Sequence, residues 1–239
     1  MGATSGIGYE TARVFLEKGD IVGIAGRRGE RLLQLAGEYP GKCFDAVIDV
    51  TDPEAPARLA KLIKAMGGMD VYLHVSGIGA QNQALNPAVE LDTAETNCVG
   101  FTRMVTAAYN YFASVGGGHI AAVSSIAGTR GLGAAPSYSA TKRYQNIYID
   151  ALSQLSSMQE TKIRFTDIRP GFVDTPLLRN GAYPMLLDAG YVANRIYGAI
   201  KTGKRRVVVE WRYALLVAMW RMIPEFIWEK IPVGRKKAK

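Results

Sequence analysis

Gly2-Ala3-Thr4-Ser5-Gly6-Ile7-Gly8, running straight into a helical pattern over residues 9–18, is the stretch that decides the fold. Three glycines at the mouth of a helix let backbone come close to a pyrophosphate, and the helix N-terminus favours its negative charge. An apolar strand over residues 20–25 follows, and then Gly26-Arg27-Arg28. In dinucleotide-binding folds an acid at the end of that second strand holds the ribose 2′-hydroxyl. No acid stands there. Arg27 and Arg28 instead offer planar cations suited to a 2′-phosphate, although two arginines would also cap a plain solvated turn. The residues point to NADP(H) over NAD(H).

The rest of the chain repeats the same alternation. Residues 42–48, 70–76, 118–123, 162–169 and 205–209 read as short apolar strands. Between them, residues 53–66, 90–114, 137–158 and 191–202 read as helices. This predicts an α/β, doubly wound, mostly parallel sheet with helices on both faces, as one domain over residues 1–239. At 239 residues, 48% hydrophobic, the chain is long enough to bury a full core. Cys43 and Cys98 make no disulfide framework, and no secretory leader or metal-ligand spacing is visible, so a cytoplasmic location is expected.

A second signal lies in Tyr138-Ser139-Ala140-Thr141-Lys142. Helical spacing puts residues four apart on one face, which sets a phenol beside an ammonium. A fixed cation favours the phenolate, and lowering a tyrosine by about three units needs roughly 4 kcal/mol of differential interaction. The pair reads as an acid/base device, though Tyr and Lys at this spacing also occur on ordinary solvated faces.

Gly-x-x-x-Gly-x-Gly together with Tyr-x-x-x-Lys resembles the short-chain dehydrogenase/reductase family, and the resemblance covers nearly the whole chain. It implies cofactor contacts from Gly2, Thr4, Ser5, Gly6, Ile7 and Gly8, and an adenine contact from Asp49-Val50 at the end of the next strand. Asn97 matches the helix asparagine that holds a proton-relay water for the lysine. Ser125, thirteen residues before Tyr138, matches the substrate-binding serine. Pro170, Gly171, Val173 and Thr175 match the segment that holds the nicotinamide carboxamide, and Gly77 matches the glycine beside the cofactor. The implied chemistry is hydride transfer between nicotinamide and a carbonyl or carbinol carbon. Tyr138 would donate the proton, Ser125 would bond the same oxygen, and Lys142 would bind the ribose and acidify Tyr138.

Two departures stand out. Where the family has Asn-Asn-Ala-Gly, this chain has His74-Val75-Ser76-Gly77, with His74 expected to be a satisfied core histidine and His119 likewise structural. The first strand is also missing, since Met1 directly precedes Gly2. Two strand edges would then lack a backbone partner, and the expectation is a start at an internal methionine of a slightly longer protein. The alternative is a truncated scaffold or redox sensor that holds cofactor poorly.

Substrate preference rests on two segments. Residues 175–188 are expected to form a mobile substrate loop carrying Leu177, Leu178, Met185, Leu186 and Leu187. Residues 201–239 hold eleven Lys/Arg against three Asp/Glu, so their excess equals the whole chain's net charge of +8. All three tryptophans (Trp211, Trp220, Trp228) lie there too, beside an apolar run over 213–220 and the basic Arg235-Lys236-Lys237. That composition suits a helix lying on an anionic bilayer, or else a substrate lid or oligomer interface. The expected partners are a small carbonyl or alcohol substrate, a lipid-like ketone such as a 3-ketosphinganine or a steroid being favoured, and no nucleic acid. A homodimer or homotetramer is implied by the resemblance.

Overall fold

Strands separated by crossover helices lie parallel, because each helix carries the chain back to the same end of the sheet. The computed structural model describes residues 1–178 and 183–233. Its strands are β1 (Val22–Gly26), β2 (Cys43–Val47), β3 (Val71–His74), β4 (Gly118–Val123), β5 (Ile163–Arg169) and β6 (Arg206–Val208). All their pairings are parallel. The helices are α1 (Gly6–Glu17), α2 (Gly29–Glu38), α3 (Ala55–Ala65), α4 (Pro87–Ala94), α5 (Phe101–Val115) and α6 (Pro136–Met158). They continue with α7 (Ala189–Lys201), α8 (Trp211–Met222) and α9 (Glu225–Trp228). The expected doubly wound α/β class is what forms, with helices on both faces.

The sheet comes in two parts, β1-β2 and β3-β4-β5-β6. Among the described residues, the segment from Met1 to Ala3 hydrogen-bonds to both parts. The Met1 amino group donates to Leu73 O (2.9 Å) and Val75 N donates to Met1 O (2.9 Å). On the other side, Gly2 N and Ala3 N both donate to Ala25 O, at 2.8 and 3.1 Å. Three consecutive residues thus join β1 to β3, Met1 on the β3 side and Gly2 and Ala3 on the β1 side.

Local sequence explains the element ends. Pro136 opens α6 in its first turn, where a missing N–H costs nothing. Gly116 closes α5 in the left-handed conformation at φ 86. Asn86 and Asp188 cap α4 and α7 by accepting from Ala88 N and Tyr191 N. Between α4 and α5, residues Glu95–Gly100 form a π-helical turn, so one interrupted helix carries Asn97 inward.

Fully buried Phe101, Met104 and Phe112 of α5 pack with Ile120, Ile149 and Phe165. On the second face Ile168, Ile196, Val209 and Tyr213 form another cluster. Each such side chain contributes about 1.5–3 kcal/mol by leaving water.

Three sequence expectations need correction. β2 stops at Val47, so Asp49-Val50 lies just beyond the strand; Ile48 N still donates to Gly26 O at 2.9 Å. Helix α2 was not anticipated. Its signal was present in Leu32 and Leu35, one turn apart and wholly buried, with Glu30 in the first turn. The interrupted helix begins at Pro87, three residues before the expected start. Part of the substrate loop (residues 179–182) and the basic end from residue 234 lie outside the described residues.

Candidate active site

A cleft at the carboxyl ends of the strands gathers Gly2, Thr4–Gly8, Arg27, Arg28, Asp49, Val50, Gly77 and Thr175. Its floor is glycine by necessity. A Cβ on Gly8 would lie 2.0 Å from Gly2 O, and one on Gly2 would lie 2.7 Å from Ser76 N. Gly6 adopts φ +54, and a Cβ there would meet Thr175 Cγ2 at 2.9 Å. Thr175 donates to Val173 O (3.3 Å), so the 170–175 segment is seated on the glycine turn. Ser5 precedes α1 without a side-chain cap, which leaves first-turn N–H groups facing the cleft.

Arg28 folds over that turn. Its Nε and Nη2 donate to Thr4 Oγ1 (3.2 and 2.8 Å), and Nη2 also donates to Ser5 Oγ (2.6 Å). Hydroxyls and a guanidinium at the mouth of a helix form a donor set that fits a phosphate. Asp49 stands opposite. Burial pushes its carboxyl up, but hydrogen bonds from Thr51 and the nearby Arg27 outweigh this and hold it below its ordinary value.

Asn97, Ser125, Tyr138 and Lys142 come together beyond Gly77. A Cβ on Gly77 would lie 3.1 Å from Asn97 Oδ1 and 3.4 Å from Lys142 Nζ. Asn97 Nδ2 donates to Ile78 O (2.7 Å) and Thr141 Oγ1 (3.1 Å), while its Oδ1 accepts from Ile78 N (2.9 Å). The Ser125 hydroxyl accepts from Ala127 N at 3.1 Å, at the start of the turn after β4. Lys142 is 5% exposed, and its Nζ donates to Val123 O (3.1 Å) and Gln145 Oε1 (3.0 Å).

Burial dominates the electrostatics of the pair. Burial pushes the Tyr138 hydroxyl up from its ordinary value, and a hydrogen bond with Ser125 opposes this without reversing it. Lys142 lies 5.8 Å from the Tyr138 ring centroid, and burial lowers its own pKa to about 8, with Asp167 and Cys98 acting upward. Desolvation is the larger influence on the phenol.

Several residues that the motifs did not name complete the arrangement. Gln145 Nε2 donates to Asn97 O (2.9 Å) while its Oε1 accepts from Lys142, so its amide spans the two. It is a polar residue three after Lys142 on the same helix face, which was the available signal. Beneath Ser125, Ser124 donates to the buried Asp167 (2.5 Å), which pairs with Arg169 (2.6 Å). Gly79 lies flat under Tyr138, since a Cβ there would be 2.3 Å from the ring. His74 is buried with Nδ1 2.9 Å from Tyr72 Oη, and burial holds its pKa well down. His119 is buried against Thr166 at 2.8 Å. Both are buried core residues, but the expected full satisfaction is not met, since His74 Nε2 and His119 Nδ1 are buried without a hydrogen-bond partner among the described residues.

The family model for short chain dehydrogenase matches residues 1–182. An uncharacterised oxidoreductase of Mycobacterium tuberculosis is 30% identical over 234 residues, covering 93% of this chain and 92% of that protein. A mouse protein named dehydrogenase/reductase SDR family member 7B is 31% identical over 189 residues, 75% of this chain and 58% of that one. The solved 3-ketoacyl-ACP reductase of Sinorhizobium meliloti superposes with a TM-score of 0.79 at 26% identity, covering 90% of this chain and 97% of that one.

Proposed function

This chain belongs to the short-chain dehydrogenase family, and on that footing we propose that it is an NADP(H)-dependent reductase of a ketone or aldehyde, preferring a lipid-like one. Membership makes it an oxidoreductase working with a nicotinamide dinucleotide. The observation that carries the finer reading is the meeting of Ser125, Tyr138 and Lys142 at one end of a glycine-floored cleft that has Arg28 at its other end.

The bound dinucleotide would supply the hydride. Tyr138, whose burial pushes its pKa up, gives its proton to the carbonyl oxygen as charge develops there. Ser125 donates a hydrogen bond to the same oxygen and so stabilises that charge. Lys142 directs donors to Val123 O and Gln145 Oε1, and its third N–H is assigned to a ribose hydroxyl. Arg28, with Thr4 and Ser5, is assigned to the 2′-phosphate, Asp49-Val50 to the adenine, and Val173 with Thr175 to the carboxamide. The apolar Leu177 and Leu186 of the substrate loop, 41% and 48% exposed, support a greasy substrate. Further partners on this reading are copies of the same chain across α5 and α6, as a dimer or tetramer, and an anionic membrane surface under the basic C-terminal segment.

Oxidation of NADPH and NADH should be followed against carbonyl compounds from small ketones to long-chain 3-keto lipids. The expected result is faster turnover with NADPH, and a loss of about a hundredfold or more in Tyr138→Phe with NADPH binding retained. Substantial activity in Tyr138→Phe would refute the assignment. Tight cofactor binding with no turnover on any compound would favour a nucleotide-binding scaffold instead.

A further inference from the structure

Helix α8 is apolar on both sides, and the fold covers one of them. Tyr213 and Val217 are buried in the cluster of Ile168, Ile196 and Val209. Trp211, Ala214, Leu215, Ala218, Met219 and Met222 are all exposed, at the i, i+3, i+4, i+7, i+8, i+11 spacing of a single helix face. Trp211 and Met222 are 71% and 75% exposed. Past Pro224, the exposed Phe226, Ile227 and Ile231 prolong the same apolar surface. A helix that is hydrophobic all round is normally enclosed, and a contiguous exposed patch of this kind marks an interaction surface.

Charge identifies the occupant. At 3.6 residues per turn, Arg212 and Arg221 fall on the two borders of the exposed face, and both are exposed. Arg212 pairs with Glu210 at 3.0 Å but keeps 53% of its side chain exposed. Glu225 and Glu229 are the acids of the following segment, against Lys230 and the four cations Arg235, Lys236, Lys237 and Lys239. A second copy would bring an equally positive segment against this one. An anionic bilayer offers hydrocarbon to the apolar arc and phosphates to its arginine borders. We propose that the outer face of α8, extended by α9, seats this protein in the interfacial layer of an anionic membrane.

The inner side of the same helix holds the catalytic surroundings. Tyr213 Oη accepts from Phe172 N (3.1 Å) and donates toward Pro184 O and Met185 O (3.1 and 2.9 Å), which fastens the substrate loop. Arg130 donates to the carbonyls of Trp220 (3.1 Å) and Ile223, and Trp228 Nε1 donates to Gly131 O (2.8 Å). Arg130 and Gly131 follow the turn that starts at Ser125. Docking therefore engages the helix that fastens the substrate loop, a consequence that rests on the reductase reading, whereas docking itself does not.

Vesicle flotation of the full chain tests this, using phosphatidylcholine alone and phosphatidylcholine with about a third phosphatidylserine. The expected result is about tenfold more protein floating with the anionic vesicles, reduced by high salt. The double variant Leu215→Glu/Met219→Glu should abolish flotation while still oxidising NADPH with a water-soluble ketone. Arg221→Glu should weaken flotation and leave turnover unchanged. The proposal is overturned by absent anionic flotation, by flotation that survives in the double variant, or by a double variant that changes the oligomer in lipid-free sedimentation, which would assign the face to a second copy. No flotation of the unmodified chain, with its soluble-ketone turnover intact, sinks docking alone; flotation without turnover sinks the reductase reading alone.

Discussion

Gln145 connects two residues that family motifs treat as joined by water. Its amide donates to Asn97 O and accepts from Lys142, both near 3 Å, in a place where it is 1% exposed. An acceptor on an ammonium favours the charged form, so Gln145 supports a Lys142 that burial has lowered to about 8. Replacing Gln145 with Leu removes that support and leaves Asn97 O unpartnered in the interior. We expect the alkaline fall in kcat/KM, as Lys142 loses its proton, to move about one unit to lower pH. Gln145→Glu places a carboxylate beside the ammonium and should move the same limb to higher pH. Opposite movements in pH–rate profiles separate this role from a purely structural one, and unchanged limbs in both variants would dismiss it.

At the scale of the element, α8 acts as a clasp. Its first turns place Tyr213 flat against Gly171, where a Cβ would lie 2.1 Å from the ring. The hydroxyl then holds Phe172 and the loop at Pro184 and Met185. Tyr213→Phe keeps the packing and removes only those hydrogen bonds, costing about 1–2 kcal/mol. The loop should loosen. The expected outcome is a several-fold rise in substrate KM, with kcat changed much less and a thermal midpoint lower by a few degrees. Steady-state kinetics and a thermal melt check this, and an unchanged KM would remove the clasp from the argument.

Over the whole molecule, two buried neutral histidines set the acid limit of stability. Burial lowers His119 to about 4 and holds His74 well below its ordinary value of 6.5. Between those values the unfolded chain binds protons that the folded chain refuses. Stability is therefore present above about pH 6.5 and is lost as pH falls toward the folded pKa. For His119 alone the loss by pH 5 is roughly 2 kcal/mol. Urea melts at pH 7 and pH 5 should show this fall, with His119→Asn flattening its share. We take residues 1–239 as one domain, so a single cooperative transition is expected; a biphasic melt would contradict that. Among the described residues no helix is long and apolar enough to cross a membrane.

The sequence alone determined what depends on local order: the glycine turn, the alternation of short apolar strands with helices, and the Tyr138–Lys142 spacing on one helix face. Only the tertiary structure decided what depends on neighbours distant along the chain. It set Gln145 between Lys142 and Asn97, ran Arg28 back over Thr4 and Ser5, and joined the two parts of the sheet through Met1–Ala3. It also enclosed Tyr138, whose burial pushes its pKa up, because desolvation is a property of packing that no spacing records.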